Sequence, residues 1–137
     1  MVVVYYREEP RAPVDGKTVR VVSPNSDDQQ IAAVKFRGFQ AQYFGAPNDE
    51  AFEGHPLAAR GLEPYGAFEV LNSSWIRALS RMNEVHSNHS DDMFRRLRHF
   101  VLTFHDTTFE CVARDFTVRR GEGSLRAAAL SALEDLM

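Results

Sequence analysis

At 137 residues, with 44% hydrophobic, 26% charged and 11% aromatic side chains, the chain has the size and composition of one globular domain and not of a disordered protein. Its formal charge of −3 and its two lysines, Lys17 and Lys35, argue against nucleic-acid binding, because that function needs clustered positive charge. The single cysteine, Cys111, excludes an intrachain disulfide, and no apolar run is long enough to predict a membrane span. We expect a single domain over 1–137 that acts in the cytoplasm, since the N-terminus lacks a secretory pattern.

The first 44 residues favour strands. Val2–Tyr6 is β-branched and aromatic, residues 7–16 predict a connection, and residues 18–23 predict a second short strand. In residues 31–44 the alternation of apolar side chains changes phase at Gly38. This pattern predicts one strand with a β-bulge or, as an alternative, a tight hairpin. Both need the backbone freedom of Gly38, and we favour the bulge.

Residues 45–66 form the least regular region of the sequence. They hold four of the eight glycines and three of the six prolines, so we expect irregular structure with one short turn of helix. A loop of this length inside a compact domain is usually functional or disordered. Four apolar side chains predict that this one packs on the body of the domain: Phe52, Leu57, Leu62 and Tyr65.

Two helices are predicted in the middle of the chain. Residues 72–86 carry an apolar stripe at helical spacing, and Asn72 or Ser73 can cap the N-terminus of that helix. Residues 90–97 predict a shorter helix, with acidic residues in its first turn and arginines in its last. The stripe of the first helix consists of Trp75, Leu79 and Met82.

The last third of the chain predicts a β-hairpin and a final helix. Residues 99–120 alternate between two faces and turn near Asp106, with a further strand as an alternative to a simple hairpin. The Gly-Glu-Gly segment 121–123 is expected to end the strand, and Ser124 to cap the helix. The apolar stripe of that helix consists of Leu125, Ala129, Leu133 and Leu136.

The predicted order is β-β-β-loop-α-α-β-β-α. Strands and helices do not alternate regularly, which disfavours a parallel doubly wound sheet. The sequence therefore predicts an α+β fold with one antiparallel sheet of about five strands and two or three helices packed on one face.

The sequence has none of the standard enzyme motifs. It lacks the nucleotide-binding glycine loops, the hydrolase nucleophile elbow, the zinc-protease helix and paired cysteines, so no cofactor is predicted. His86 and His89, even with Asp91 or Asp92, supply too few converging ligands to predict a metal site. Cys111 lies on an apolar strand face and is expected in the core.

His105 and Asp106, at the predicted hairpin turn, are the first candidate catalytic residues. The pKa of a histidine lies near neutrality, so His105 could act as a general base that Asp106 or Glu110 orients. The competing interpretation is structural, with Asp106 forming the turn and His105 half exposed on its strand.

Four residues of the long loop form the second candidate group: Asp49, Glu50, Glu53 and His55, all within seven positions. Carboxylates beside a histidine suit acid–base chemistry, metal binding or a basic protein partner. The calcium-loop pattern is missing, and a solvated acidic loop is the competing interpretation. We predict these four residues as a binding face.

Two segments carry a resemblance. FEVLNSSWI at 68–76 and FHDTTFECVA at 104–113 resemble stretches of small uncharacterised bacterial proteins. The hairpin with its His-Asp turn is also similar to segments of immunity proteins that neutralise polymorphic toxins. The resemblance implies a binding protein and carries over no catalytic residue.

Three functions follow as hypotheses. The first is a non-catalytic, immunity-like binding module that meets a basic protein partner through an acidic face and the 45–66 loop. The alternative is a small metal-independent enzyme with a His105/Asp106 acid–base site under that loop. The third is an oligomerising subunit. An enzyme should show a pocket at His105, a binder a gathered acidic surface, and a subunit a large apolar patch.

Overall fold

The computed structural model describes residues 1–7 and 21–137. Over these residues the chain forms seven strands in two antiparallel sheets and three α-helices, so the α+β class is confirmed and the single sheet of about five strands is wrong. The strands are β1 (Val2–Tyr6), β2 (Gln29–Arg37), β3 (Ala41–Gly45), β4 (Ala67–Val70), β5 (Arg98–Thr103), β6 (Thr108–Ala113) and β7 (Asp115–Gly123). The helices are α1 (Ser74–Asn83), α2 (Asp91–Arg95) and α3 (Leu125–Glu134).

The described residues divide into two compact units, and a single domain stays a prediction. The first unit takes residues 1–7, 21–36 and 116–137, the second residues 37–115. In the first unit the sheet has the order β1-β2-β7, and the antiparallel register places Val4 opposite Ala33. Helix α3 contacts β1 of this sheet.

Gly38 explains why residues 31–44 form neither a bulged strand nor a hairpin. Strand β2 ends just before it, β3 begins three residues later, and the two strands belong to different sheets. The φ angle of Gly38 is +61°, and a β-carbon there would lie 2.7 Å from Cγ of Arg114. The prediction that this position requires glycine is therefore confirmed. Gly38 lies, however, in the connection between two sheets and not in a bulge or a hairpin turn.

The second unit is built on the sheet β3-β6-β5-β4. The predicted hairpin is its centre, since β5 pairs with β6 and places Val101 opposite Glu110 and Thr103 opposite Thr108. Strand β4 was not predicted, because its four residues are too short for a clear alternation.

Two apolar clusters cover one face of this sheet. Val101 anchors the first and Val112 the second, and the hairpin register places both side chains on the same face. The first cluster contains Phe52, Leu62 and Val101, with Leu57, Phe68 and Val70 packed against them. The second contains Phe94, Leu97 and Val112, with Trp75, Ile76 and Leu79 packed against them. The side chain of Glu110 lies on this face as well.

The middle helices form where they were predicted. Ser73 caps α1, because its Oγ accepts the backbone N–H of Ile76 at 3.2 Å. Trp75 packs edge-on against the ring of His99, with centroids 5.2 Å apart, and thus serves as the expected core anchor. Helix α2 ends at Arg95, two residues earlier than predicted, and Arg96 is its C-cap.

Two expectations for the C-terminal region are wrong. Residues 121–123 belong to β7, so the strand continues to Gly123 instead of ending before Gly121. Ser124 caps α3 as predicted, accepting the N–H of Ala127 at 3.1 Å. The helix, however, buries Ala132 and leaves Leu133 59% exposed, so the predicted leucine stripe does not face the core.

The N-terminal connection beyond Arg7 and residues 18–20 of the predicted second strand lie outside the described residues. Residues 21–23 of that strand have no strand structure. Within 1–7 and 21–137, no helix is long and apolar enough to cross a membrane.

Candidate functional site

A buried network of polar side chains joins the long loop to the sheet. Glu110 on β6 binds two histidines through its two carboxylate oxygens. Its Oε1 lies 2.7 Å from Nε2 of His55, and its Oε2 lies 2.8 Å from Nε2 of His99. The side chains of both histidines are 5% exposed and that of Glu110 is 15% exposed. The carboxylate thus bridges a loop residue and a strand residue in the interior.

The outer nitrogens of both imidazoles are also engaged. Nδ1 of His55 accepts the backbone N–H of Leu57 at 3.0 Å. Nδ1 of His99 lies 2.9 Å from Oγ of Ser73, the residue that caps α1. Because the carboxylate of Glu110 only accepts, each ring carries a proton on Nε2, and Nδ1 of His99 shares a hydrogen bond with a hydroxyl that also accepts the N–H of Ile76. All four ring nitrogens therefore have partners inside the protein.

The network holds Glu110 in its charged form. Burial raises the pKa of Glu110, but hydrogen bonds from His99 and His55 outweigh burial, and the pKa lies below its ordinary value. A carboxylate that accepts two N–H bonds needs no proton of its own. This closed arrangement favours a structural role for Glu110 over the predicted catalytic one.

A second cluster lies at the turn between β5 and β6. Nδ1 of His105 donates to Oδ2 of Asp49 at 2.9 Å, and the hydroxyl of Tyr65 donates to the same oxygen. The backbone N–H of Asp49 in turn donates to the carbonyl of His105 at 3.0 Å. Unlike the buried network, this cluster faces solvent, because the side chain of His105 is 68% exposed and Tyr65 is 58% exposed.

In the second cluster, Asp49 and His105 each stabilise the charged form of the other. The hydrogen bonds from Tyr65 and His105 hold the pKa of Asp49 below its usual value. Asp49 raises the pKa of His105 through its hydrogen bond and its charge, and the charges of Asp106 and Glu50 add to this effect. The cluster thus combines a histidine whose pKa is raised with the carboxylates of Asp49, Glu50 and Asp106.

We expect His105 to titrate above the ordinary histidine value of 6.5, and its pKa to fall in Asp49→Asn. Because the folded pKa is raised, the stability from this pair is fully present below pH 6.5 and is lost as the pH rises through the folded pKa. An NMR titration of the His105 ring protons measures the midpoint. Glu53→Gln is the matched control and should leave it unchanged; an equal fall in both variants would contradict the Asp49 pairing.

The structure separates the predicted catalytic residues. Glu110 binds His55 and His99, so the carboxylate that pairs with His105 is Asp49. Asp106 lies in the turn as expected and acts on His105 only through its charge.

The predicted binding residues are separated as well. Asp49 and Glu50 lie beside His105, and Glu53 is exposed in the next turn of the loop. His55 is 7% exposed and belongs to the buried network, so it cannot contribute to a binding face.

Three residues of these clusters were missed from the sequence: His99, Ser73 and Tyr65. His99 and Glu110 are polar residues at inward-facing positions of apolar strands, and that mismatch was the available signal. Tyr65 was predicted to pack on the domain, which is wrong; Phe52, Leu57 and Leu62 pack as expected.

His89 and Cys111 are accounted for by local contacts and burial. In the part of the chain that the structure describes, no three histidine, cysteine or acidic side chains are placed to hold a metal ion. Nδ1 and Nε2 of His89 bind Asn83 and Asp91 within the helix connection. Cys111 is buried as predicted, and burial raises the pKa of its thiol to about 12.

Comparison of the chain with protein families, curated proteins and solved structures finds no match. The resemblance to immunity proteins therefore stays a prediction, and function has to be argued from the chemistry of the two clusters.

Proposed function

We propose that this protein is a non-catalytic binding module that meets a basic protein partner through an acidic surface. The surface, called the acidic tip below, consists of Asp49, Glu50, Glu53, Tyr65, His105 and Asp106. The observation that carries the proposal is the arrangement of exposed Tyr65 and His105 around the carboxylate of Asp49, with exposed Glu50 and Asp106 beside them. An immunity protein that covers a basic toxin surface would be of this type.

Charge is concentrated at this end of the second unit. Residues 45–66 and 104–107 hold five carboxylates against one arginine, a formal charge of −4, while the whole chain carries −3. A surface with this excess of negative charge speeds the encounter with a basic partner and disfavours acidic ones. An exposed tyrosine at its centre supplies apolar contact area at low entropic cost.

The loop that bears the tip is anchored at both ends, which limits the entropy lost on binding. Thr103 Oγ1 accepts the N–H of Gly66 at 2.7 Å and donates to the carbonyl of Glu63 at 2.8 Å. Thr108, its neighbour across the hairpin, donates to the carbonyl of Pro47 at 3.0 Å. Hydrogen bonds from one pair of threonines thus hold the two ends of the loop.

The backbone of Tyr65 adds a second sign of function. Its φ angle is +58°, a left-handed conformation that is an outlier for a bulky residue. Such strain persists where the surrounding structure over-determines it and clusters at functional sites. Here the hydrogen bond to Asp49 holds the exposed ring in that position.

The proposal predicts that a basic partner is captured through the tip. The experiment is affinity capture from the native cell extract with the wild-type chain and with Glu50→Gln/Glu53→Gln/Asp106→Asn, which keeps side-chain shape and removes three charges. A matched control, Glu84→Gln/Glu134→Gln/Asp27→Asn, removes the same charges from exposed positions elsewhere. We expect a partner that the wild type and the control retain and the tip variant loses, with binding that weakens as salt rises.

Either of two outcomes would overturn the proposal. One is that no partner binds specifically to the wild-type chain. The other is that the tip variant and the control retain the partner equally, since binding would then not involve this surface.

A second candidate function is supported by the His105–Asp49 pair. A carboxylate on Nδ1 fixes the ring proton there and directs Nε2 outward, as in a positioned general base, with Asp49 in the orienting role assigned to Asp106 or Glu110 from the sequence. His105→Gln distinguishes the two functions. It should abolish turnover in an enzyme, whereas a binding module should keep its partner with only a partial loss of affinity, because every carboxylate of the tip remains.

A further inference from the structure

A groove in the first unit lies between its sheet and α3 and shares no residue with the acidic tip. Its volume is about 440 Å³, within the range of roughly 300–1,000 Å³ that is typical of small-molecule sites. Its walls are mostly apolar and built from short side chains, among them Val2, Ile31 and Ala33 of the sheet and Ala127, Ala128 and Ala132 of the helix.

The groove exists because α3 turns its small residues towards the sheet. Leu130 and Leu133 of the same helix are 54% and 59% exposed, although burying a leucine is strongly favourable. Leucines on the inner face would fill the space that the alanines leave. The helix thus gives up apolar burial and leaves open a channel that is lined on the sheet side mainly by β7 and β2.

One end of the channel is cationic. Nζ of Lys35 donates to the backbone carbonyl of Asp135 at 2.9 Å, and Nη2 of Arg119 lies 2.6 Å from the carboxylate of the same residue. Nη1 of Arg119 lies 3.5 Å from Oγ of Ser131. Two cations therefore face a single side-chain carboxylate, and the ammonium of Lys35 has three donors of which the Asp135 carbonyl takes one. The formal charge of these three side chains, Lys35, Arg119 and Asp135, sums to +1.

We propose that this groove binds a small aliphatic carboxylate. The hydrocarbon chain lies along the alanine wall of α3, and the carboxylate meets Lys35 and Arg119. The apolar walls select a hydrocarbon body, because each buried methylene adds favourable free energy, and the single surplus charge matches a monoanion better than a phosphate.

Octanoate is the probe, titrated into the full chain by calorimetry and by NMR, with octanol as the uncharged ligand of equal length. We expect octanoate to bind saturably and roughly tenfold or more tighter than octanol, which cannot pair with the cations. Shifts of the Ala127, Ala128 and Ala132 signals should locate the ligand. No saturable binding, or octanol binding as tightly as octanoate, would overturn the proposal.

Three variants test the position of the ligand. Ala128→Phe fills the channel and should abolish binding of both ligands; Lys35→Met should weaken octanoate roughly tenfold and leave octanol unchanged. Leu130→Ser, on the exposed outer side of α3, is the control and should change neither affinity. If Ala128→Phe does not fold, Lys35→Met and Leu130→Ser carry the test. Three results would place the ligand elsewhere and overturn the proposal. They are unchanged octanoate binding in Ala128→Phe, unchanged octanoate affinity in Lys35→Met, and loss of octanoate binding in Leu130→Ser.

Discussion

Glu110→Ala is expected to lower the free energy of unfolding by about 3 kcal/mol, one of the two largest effects of a single substitution that we predict. The substitution leaves the Nε2–H groups of His55 and His99 buried without an acceptor. An orphaned buried donor costs about 1–3 kcal/mol, and here two are left at once. Urea denaturation followed by circular dichroism measures the loss.

Glu69→Ala provides the matched control for this prediction. Glu69 lies on β4 and pairs with Arg98, but both side chains are more than a third exposed, so the pair should contribute about 1 kcal/mol or less. Equal losses of unfolding free energy in Glu110→Ala and Glu69→Ala would mean that the buried network stabilises the fold no more than an exposed ion pair does.

The same network sets a pH dependence. The folded pKa of Glu110 lies below the ordinary value of 4.5, so its stabilisation is present above pH 4.5 and is lost as the pH falls through the folded pKa. Glu110→Gln removes the titrating group while keeping its shape. The acid slope of the unfolding free energy should therefore be shallower in Glu110→Gln than in the wild type.

Phe52→Ala is expected to cost about 3 kcal/mol and to release the 45–66 loop. Phe52 is 6% exposed, packs with Leu62 and Val101, and stacks on His55 at 5.9 Å between ring centroids. Its removal leaves a cavity under the loop and loosens the histidine that joins the loop to Glu110. The loss of stability is measured by urea denaturation.

Trypsin gives a second, local measurement of this prediction. Arg60 is the one lysine or arginine in residues 45–66, so cleavage there reports opening of the loop. In Phe52→Ala the rate of this cleavage should rise roughly tenfold or more. Phe44→Ala is the control, since Phe44 is 62% exposed and contacts Phe109 only edge-on; it should cost about 1 kcal/mol and leave the cleavage rate unchanged. An unchanged rate of cleavage at Arg60 in Phe52→Ala would contradict the role of Phe52 as the anchor of the loop.

The sequence predicts the residues of the acidic tip but not the pairings between them. The acidic residues of the tip were identified because they are close neighbours in the chain, and the His105 turn because its dipeptide has turn chemistry. The sequence offered Asp106 or Glu110 as the partner of His105, whereas the structure pairs His105 with Asp49, which precedes it by 56 positions and is brought near only by the folded loop. The His55–Glu110 bond spans 55 positions and was missed for the same reason.

The sequence by itself determined the local structure of this protein. Several features follow from interactions among near neighbours or from the apolar pattern of the sequence. These features are the strands formed by β-branched runs, the helix caps at Ser73 and Ser124, the hairpin turn and the burial of Cys111. Only the tertiary structure decided that the strands divide between two sheets, that α3 turns alanines inward, and that Glu110 binds two histidines. These outcomes depend on pairings between distant segments, which local propensity does not encode.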